Sequence, residues 1–391
     1  MLADMTNEPR TEVRTAQDKP IATQSVDPTT PVGPGRDRAI DVMRGLCIIS
    51  MTTAHLAVGS WPWHLAHAAI FIDGAVGFVL LSGLVVGITQ RRKIDAAGLG
   101  AGERKLFRRT ALIYVAHLAL CLFAFVVVTA DPTRLDPARA GPYVGVPTLG
   151  GPLPAAIATL TLQVNPHYTS ILSLYVVLLL LAMLAIAGLA HRLTPLVVVG
   201  SLALYGAGYW WPPVFTFPSQ PGVPGAVNWA TWQLLFIGAL LVGWKWRSAP
   251  IRWALRSRLA WCCALGLVAT AAGFGWLSRL GLADPWKAVV GRVFTEGTLA
   301  PATILLAFAA ALVGYPICRA LVRIAAPLAS PIARIGRHSL DCYLILSVSV
   351  ILLPSLYRYD PSGLIAVGVT IDLLVVMFGW CLLRDRISRK R

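Results

Sequence analysis

Long apolar stretches separated by short polar and charged segments dominate the pattern of this chain. A stretch of roughly 17 to 25 apolar residues is long enough to cross a membrane as a helix. By that measure the sequence predicts about ten spanning helices, at residues 39–59, 68–90, 108–130, 170–190, 194–211, 228–245, 259–278, 300–320, 338–357 and 362–383. We therefore predict an all-α polytopic membrane protein built as a bundle of these helices.

Composition agrees with a membrane protein and excludes an ordinary soluble domain. Of the 391 residues, 56% are hydrophobic and only 13% are charged. The mean hydropathy is +0.67. Soluble globular domains carry about twice that share of charged residues.

The net charge of +16 is distributed in a way that favours a membrane topology signal and not nucleic-acid binding. With ten spans and an inner N-terminus, 28 of the 34 Lys and Arg residues fall on the inner side and 6 on the outer side. Positive charge is enriched in cytoplasmic loops, so both termini are predicted to be cytoplasmic, in a multi-pass protein of the inner membrane. The basic loops have two explanations: attraction to anionic membrane lipids, or a cytoplasmic pocket for a polyphosphate cofactor.

The two ends of the chain differ from its middle. Residues 1–38 are polar and lack an apolar core, which predicts a disordered cytoplasmic tail without a cleaved signal. Residues 39–383 form the predicted membrane domain, and 384–391 form a basic cytoplasmic tail. The cysteines all lie in or beside apolar spans, where we expect packing roles, and their spacing predicts no metal site.

The first predicted span carries three ionisable residues on one stripe. Arg44 and His55 are eleven positions apart, which corresponds to roughly 16 Å of rise and nearly the same helix face. Asp41 lies one turn before Arg44. Ionisable groups at membrane depth are costly and favour a functional site. The alternative is that Arg44 extends to the cytoplasmic interface with Asp41 as its partner.

Polar and aromatic residues gather on the predicted outer side. They are typical of an interfacial aromatic belt, and they also suit a cleft that binds a saccharide. The residues concerned include Trp61, Trp63, Asp73, His167, Tyr168, Trp229, Trp232 and Gln233. Small residues recur from Gly74 to Gly87 in the second span, which predicts close packing against the first span.

Several of these stretches together resemble the transmembrane acyltransferases, especially the OpgC group that succinylates osmoregulated periplasmic glucans. The first is the Ile40-Asp41-Val-Met-Arg44-Gly-Leu segment with His55 eleven residues after its arginine. The others follow in order, at residues 77–87, 167–180, 228–236 and 335–340, and the resemblance covers roughly residues 36–383.

The resemblance implies that an acyl group passes from cytoplasmic acyl-CoA to a hydroxyl of an extracytoplasmic glycan. It implies a catalytic role for His55, which would accept a proton from the hydroxyl or carry the acyl group itself. Arg44 would serve the same site, held by Asp41, and Asp73 would orient His55. No bound cofactor is expected, because acyl-CoA is the donor substrate, either succinyl-CoA or acetyl-CoA.

Further residues follow from the resemblance as candidate ligands of the two substrates. The donor candidates are Arg44, Arg337 and His338, and the acceptor candidates are His167, Tyr168, Trp229, Trp232 and Gln233. Lipid or headgroup contacts are the alternative for His338, His167, Tyr168 and Asp73.

Two departures from the family pattern leave the acceptor open. The first outer loop carries Trp and His residues, and the ninth span continues Ser339-Leu-Asp341-Cys342-Tyr343 where more apolar residues are expected. A transporter or flippase of a glycan or lipid-linked intermediate is the alternative function, although no matching pair of broken helices is evident. A noncatalytic scaffold would not require Arg44 and His55 on one face.

Overall fold

The computed structural model describes residues 36–66, 73–132, 144–166, 169–223, 225–282, 298–353 and 363–389, together with 290 and 294. Within these ranges the chain is helical, and the only β contacts are isolated bridges. The helices are α1 Arg38–Leu56, α2 Trp61–Ala66, α3 Gly74–Ala97, α4 Leu99–Ala130, α5 Pro152–Leu160, α6 Ser170–Ala190, α7 Thr194–Trp210, α8 Pro212–Phe215, α9 Trp229–Trp244, α10 Ala249–Arg256, α11 Arg258–Arg279, α12 Pro301–Ile324, α13 Ala326–Arg337, α14 Ser339–Leu352 and α15 Leu364–Arg389.

Each predicted span overlaps one helix in the part of the chain that the structure describes, but not every helix is long and apolar enough to cross a membrane. Among the described residues, six helices meet this criterion (α3, α4, α6, α11, α12 and α15), and the number is seven if the bent pair α13 and α14 is one span. At 17 and 16 residues, α7 and α9 are short for a span. Helix α1 has 19 residues, among them Asp41, Arg44 and His55. The all-helical membrane fold is confirmed, whereas the count of ten spans and the orientation of the termini stay predictions.

Helix α13 is an element that the apolar pattern did not predict. It contains Pro327 and Pro331 and ends in basic residues, so it lacks the continuous apolar run of a span. The chain bends by 77° between α13 and α14. The predicted span at 338–357 therefore begins at this bend, and α13 forms a separate helix that packs on α1.

Glycines set the closest helix contacts around α1. A Cβ at Gly336 of α13 would overlap the carbonyl oxygen of Asp41, and one at Gly45 of α1 would overlap that of Ile332. The two backbones therefore touch, which only glycine permits at these positions. This contact fixes α13 beneath the turn of α1 that carries Asp41 and Arg44.

The small residues of α3 serve two neighbours. Gly74 and Gly77 lie against Cys47 of α1, as the sequence predicted. Gly83 and Gly87 lie instead against the backbone of α9, at Phe236 and Leu240. The N-terminal part of helix α3 therefore packs on α1, and the part from Gly83 to Gly87 packs on α9.

Residues 144–166 fold back against the middle of α4. The Tyr114 hydroxyl donates a hydrogen bond of 2.8 Å to the Leu160 carbonyl, and Cys121 packs with Val144, Ala158 and Val164. The segment between the predicted spans at 108–130 and 170–190 thus contains a packed helix, α5, in the part that the structure describes.

A closed polar cluster joins this segment to α4 and α6. We call it the His117 cluster; its members are His117, Cys121, Asn165 and Ser173. Ser173 Oγ donates to Asn165 Oδ1 at 2.5 Å and lies 3.4 Å from His117 Nδ1. Cys121 Sγ is 3.5 Å from His117 Nε2. Since all four are buried, the cluster holds three chain segments together without contact with solvent.

Candidate functional site

A small open pocket of about 20 Å³ lies beside Arg44, and we call it the Arg44 pocket. Five helices meet there: α1, α3, α4, α6 and α14. Its lining residues are Arg44, Phe78, Arg109, Ile113, Ile171, Leu172, Tyr175, Ser339, Leu340 and Tyr343. The arginine that the sequence singled out therefore borders a small opening between five helices.

A hydrogen bond and a cation–π contact are among the interactions that hold Arg44 in the pocket wall. Its Nη2 donates a 2.6 Å hydrogen bond to Ser339 Oγ. Its guanidinium carbon lies 5.4 Å from the centre of the Phe78 ring, a cation–π distance. The side chain is only 7% exposed. The guanidinium is a cation, so it places positive charge in the pocket wall.

The rest of the lining adds to this positive character. Arg109 of α4 is a second guanidinium, and the described lining residues include no carboxylate. The first turns of α6 and α14 also reach the pocket, through Leu172 and Ser339. Helix N-termini carry partial positive charge and free N–H groups. The pocket therefore suits a ligand that has an anionic group next to an apolar part.

Asp41 lies on the turn of α1 before Arg44 and is 4% exposed. Its backbone carbonyl meets Gly336 at the contact between α1 and α13. The structure thus places Asp41 at the base of the pocket wall, in keeping with a supporting role for Arg44. Its function in holding the guanidinium stays a prediction.

His55 is partly exposed and lies near the other end of α1. Asp73 caps α3: its Oδ1 accepts a 2.7 Å hydrogen bond from the Val76 N–H. The next residue, Gly74, lies against Met51 of α1, and Met51 is one helical turn before His55. The predicted partners are therefore brought to neighbouring turns of packed helices, and the orienting role of Asp73 stays a prediction.

Arg337 and His338, the other donor candidates, gather around Asp385 of α15. His338 Nε2 is 2.8 Å from Asp385 Oδ1, and Arg337 Nη1 is 3.9 Å from the same oxygen. Arg334 joins them, with Nε 2.9 Å from Asp385 Oδ2. Because His338 precedes Ser339, this basic group and the Arg44 pocket lie on either side of the bend between α13 and α14.

The acceptor candidates of α9 lie away from the Arg44 pocket. Gln233 is buried between α7 and α9, where its Nε2 donates to the Ser201 carbonyl at 2.7 Å and its Oε1 accepts from Ser201 Oγ at 2.8 Å. Trp229 packs edge-on against Phe215. Trp232 is buried. Their sugar-binding role stays a prediction, as does that of His167 and Tyr168, which lie outside the described residues.

Several lining residues were not assigned to the site from sequence. Arg109 lies at the start of the predicted span at 108–130, and in the structure it is the eleventh residue of α4. Tyr175 and Tyr343 lie inside apolar helices, where an aromatic residue has no distinctive pattern. The signal that could have found Arg109 was its place inside the predicted span at 108–130, which puts its side chain at the end of a membrane helix.

Comparison with known proteins agrees with the resemblance seen in the sequence. Neither the curated proteins nor the solved structures gave a significant match. A family model described as OpgC protein matches residues 36–389, nearly the whole chain. The chain therefore belongs to the OpgC family, whose name implies an acyltransferase of the succinyltransferase type.

Proposed function

We propose that this protein is an O-acyltransferase of the inner membrane. It transfers an acyl group, succinyl in the first instance, from cytoplasmic acyl-CoA to a hydroxyl of an extracytoplasmic glycan. Family membership supports the acyl-transfer chemistry. The arrangement of α1 supports the residues that we assign to it.

One observation carries the proposal: α1 links a positively charged pocket to a partly exposed histidine. Arg44 borders the pocket, and His55 follows eleven residues later in the same helix. The two positions are separated by roughly 16 Å of rise and about 20° of rotation. An extended thioester arm is long enough to join groups so spaced. The shared helix face therefore suits a substrate that binds at one end and reacts at the other.

The reaction assigned to His55 is general-base catalysis. The neutral imidazole accepts the proton of the sugar hydroxyl while the hydroxyl oxygen attacks the thioester carbonyl. The carbon–sulfur bond then breaks, CoA leaves as a thiolate, and the imidazolium returns the proton to it. The products are the glycan ester and CoA with a free thiol. Asp73, at the start of α3, stabilises the imidazolium from the neighbouring helix.

Arg44 and the basic group at the bend serve the donor. Arg337 and His338 attract the phosphate groups of CoA, while Arg44 and Arg109 hold an anionic group in the pocket. Since His338 and Ser339 are consecutive, a donor that contacts both regions crosses only the bend between α13 and α14.

The test uses membrane vesicles that contain the protein, its glycan acceptor and labelled succinyl-CoA or acetyl-CoA. Substitution His55→Ala is expected to lower glycan labelling by about 10²- to 10⁴-fold, the usual contribution of a general base. His191→Ala is the matched control, because His191 is exposed at the end of α6. Labelling that His55→Ala leaves unchanged would overturn the catalytic assignment of His55, whereas wild-type vesicles that label no glycan would favour a transporter. Labelling only from the inner face would support the proposed direction.

A further inference from the structure

Three basic side chains share one carboxylate beside the bend between α13 and α14. Asp385 of α15 contacts Arg334, Arg337 and His338 at distances of 2.9, 3.9 and 2.8 Å. Arg334 is also fixed by the Phe378 ring, 5.6 Å from its guanidinium carbon. The two arginines alone outweigh the single negative charge of Asp385. Each of the three bases therefore shares this one carboxylate with the other two.

This cluster is accessible to a ligand. The side chains of Asp385 and His338 are each 17% exposed, Arg334 is 27% exposed and Arg337 is 43% exposed. A partly exposed ion pair contributes little, typically less than about 1 kcal/mol. A phosphate group carries more negative charge and more acceptor oxygens than a carboxylate. The three bases therefore hold Asp385 weakly and would bind a phosphate group more tightly.

We propose that Arg334, Arg337 and His338 form a phosphate-binding site and that Asp385 is its built-in counter-ion, displaced when the donor's phosphate groups bind. The inference rests on the proposed use of acyl-CoA as donor. It adds Arg334 to the site and gives Asp385 a competing role, whereas a purely structural ion pair would leave Asp385 supporting the arginines.

The location of the cluster gives the displacement a consequence. His338 occupies the bend, and the next residue, Ser339, accepts the hydrogen bond from Arg44. Release of His338 from Asp385 frees the bend on one side while Arg44 holds it on the other. Donor binding at the basic cluster is therefore coupled to the wall of the Arg44 pocket.

The two roles of Asp385 predict opposite signs for one substitution. If Asp385 competes with phosphate, Asp385→Asn removes the competitor and CoA binds more tightly, by about two- to fivefold. If Asp385 only positions the cations, the same change loosens them and CoA binds more weakly. The sign of the change in Kd separates the two.

The experiment measures the Kd of unacylated CoA for the full-length protein in discs of zwitterionic lipid. Asp385→Glu keeps the charge and is expected to bind CoA like the wild type. Asp95→Asn removes a carboxylate from an exposed pair with Arg91 of α3, which controls for net charge. Tighter binding in Asp385→Asn alone supports the proposal, and weaker or equal binding overturns it. Tightening seen for phosphatidylglycerol but not for CoA overturns the assignment to the donor.

A measurement on the wild type covers the case in which Asp385→Asn fails to fold. Addition of CoA is expected to raise hydrogen exchange at residues 384–389, because Asp385 loses its partners. Unchanged or slower exchange there overturns displacement. Glycan labelling on the same samples separates the two proposals. If Asp385→Asn still labels glycan but binds CoA more weakly, only the displacement of Asp385 is wrong. If it binds CoA more tightly but labels no glycan, only the proposed acyltransferase activity is wrong.

Discussion

The Arg44 pocket and the His117 cluster are neighbours that use the same two helices differently. Ile113 of the pocket is one turn before His117 on α4, and Leu172 of the pocket precedes Ser173 on α6. Both regions place polar side chains among apolar helices. In the cluster, however, these groups meet each other, whereas in the pocket two arginines border an open space.

This difference separates a structural role from a ligand-binding one. Asn165 shows how the groups of the His117 cluster are satisfied. Its Nδ2 donates to the carbonyls of Leu162 and Pro218, and its Oδ1 accepts from Ser173. A satisfied buried network rigidifies a fold. In the Arg44 pocket, two arginines line a small opening instead. Burial of polar groups in a membrane protein is thus not enough to mark a site; an adjoining cavity is also required.

Of the changes that test this comparison, Arg44→Gln is expected to have the largest effect, because it removes a positive charge from the Arg44 pocket. Loss of a hydrogen bond between a cation and an anionic ligand should lower kcat/KM for the donor by about 10- to 100-fold. Vesicle labelling across donor concentrations measures this. Arg91→Gln, an exposed arginine of α3, is the control. If both variants lost activity equally, the pocket would have no special role.

The next largest effect is expected from Gly336→Ala, which disturbs the contact between α13 and α1 beside the pocket. The added methyl group would overlap the Asp41 carbonyl and push α13 from α1, at a cost of about 1 to 3 kcal/mol. The thermal midpoint in detergent should fall, and labelling should fall with it. Gly266→Ala is the matched control, because a Cβ there meets open space. An unchanged midpoint in Gly336→Ala would contradict the tight contact.

The sequence predicted the helices better than the site. Each apolar run indicated a helix, and buried ionisable residues on α1 indicated Arg44, because both signals are local. The pocket depends on residues that are distant in the chain, such as Arg109, Tyr175 and Tyr343, and their contact arises only from packing. Family membership was also recognisable, since its motifs lie in order along the chain.

Helix α13 and the His117 cluster show why local patterns have limits. With two prolines and a short apolar stripe, α13 has the composition of a loop, and its contact with α1 stabilises it as a helix. His117 lies alone on an apolar helix, so only the fold reveals that Asn165 and Ser173 meet it. Tertiary contacts decided both outcomes.

A smaller effect, on stability alone, is expected from Ser173→Ala in the His117 cluster. The change leaves Asn165 Oδ1 without its donor from Ser173, which should cost about 1 to 2 kcal/mol of the free energy of unfolding. Ser349→Ala is the control, since that hydroxyl bonds only a carbonyl of its own helix. The measurement pairs the thermal midpoint with the turnover of the remaining folded protein. Lost turnover at an unchanged midpoint would instead make Ser173 and His117 a catalytic pair.

The smallest effect is expected from Tyr175→Phe, at the boundary of the two regions. The ring lines the Arg44 pocket, while the hydroxyl points to the Phe78 carbonyl at 3.1 Å and to Ser82 Oγ at 3.0 Å. Removal of the hydroxyl keeps the ring and should cost about 0.5 to 1.5 kcal/mol of stability. Tyr209→Phe, an exposed tyrosine of α7, is the control. If the Tyr175 hydroxyl only joins α6 to α3, KM for the donor stays near the wild-type value. A large rise in KM for the donor at an unchanged thermal midpoint would show that this hydroxyl takes part in donor binding.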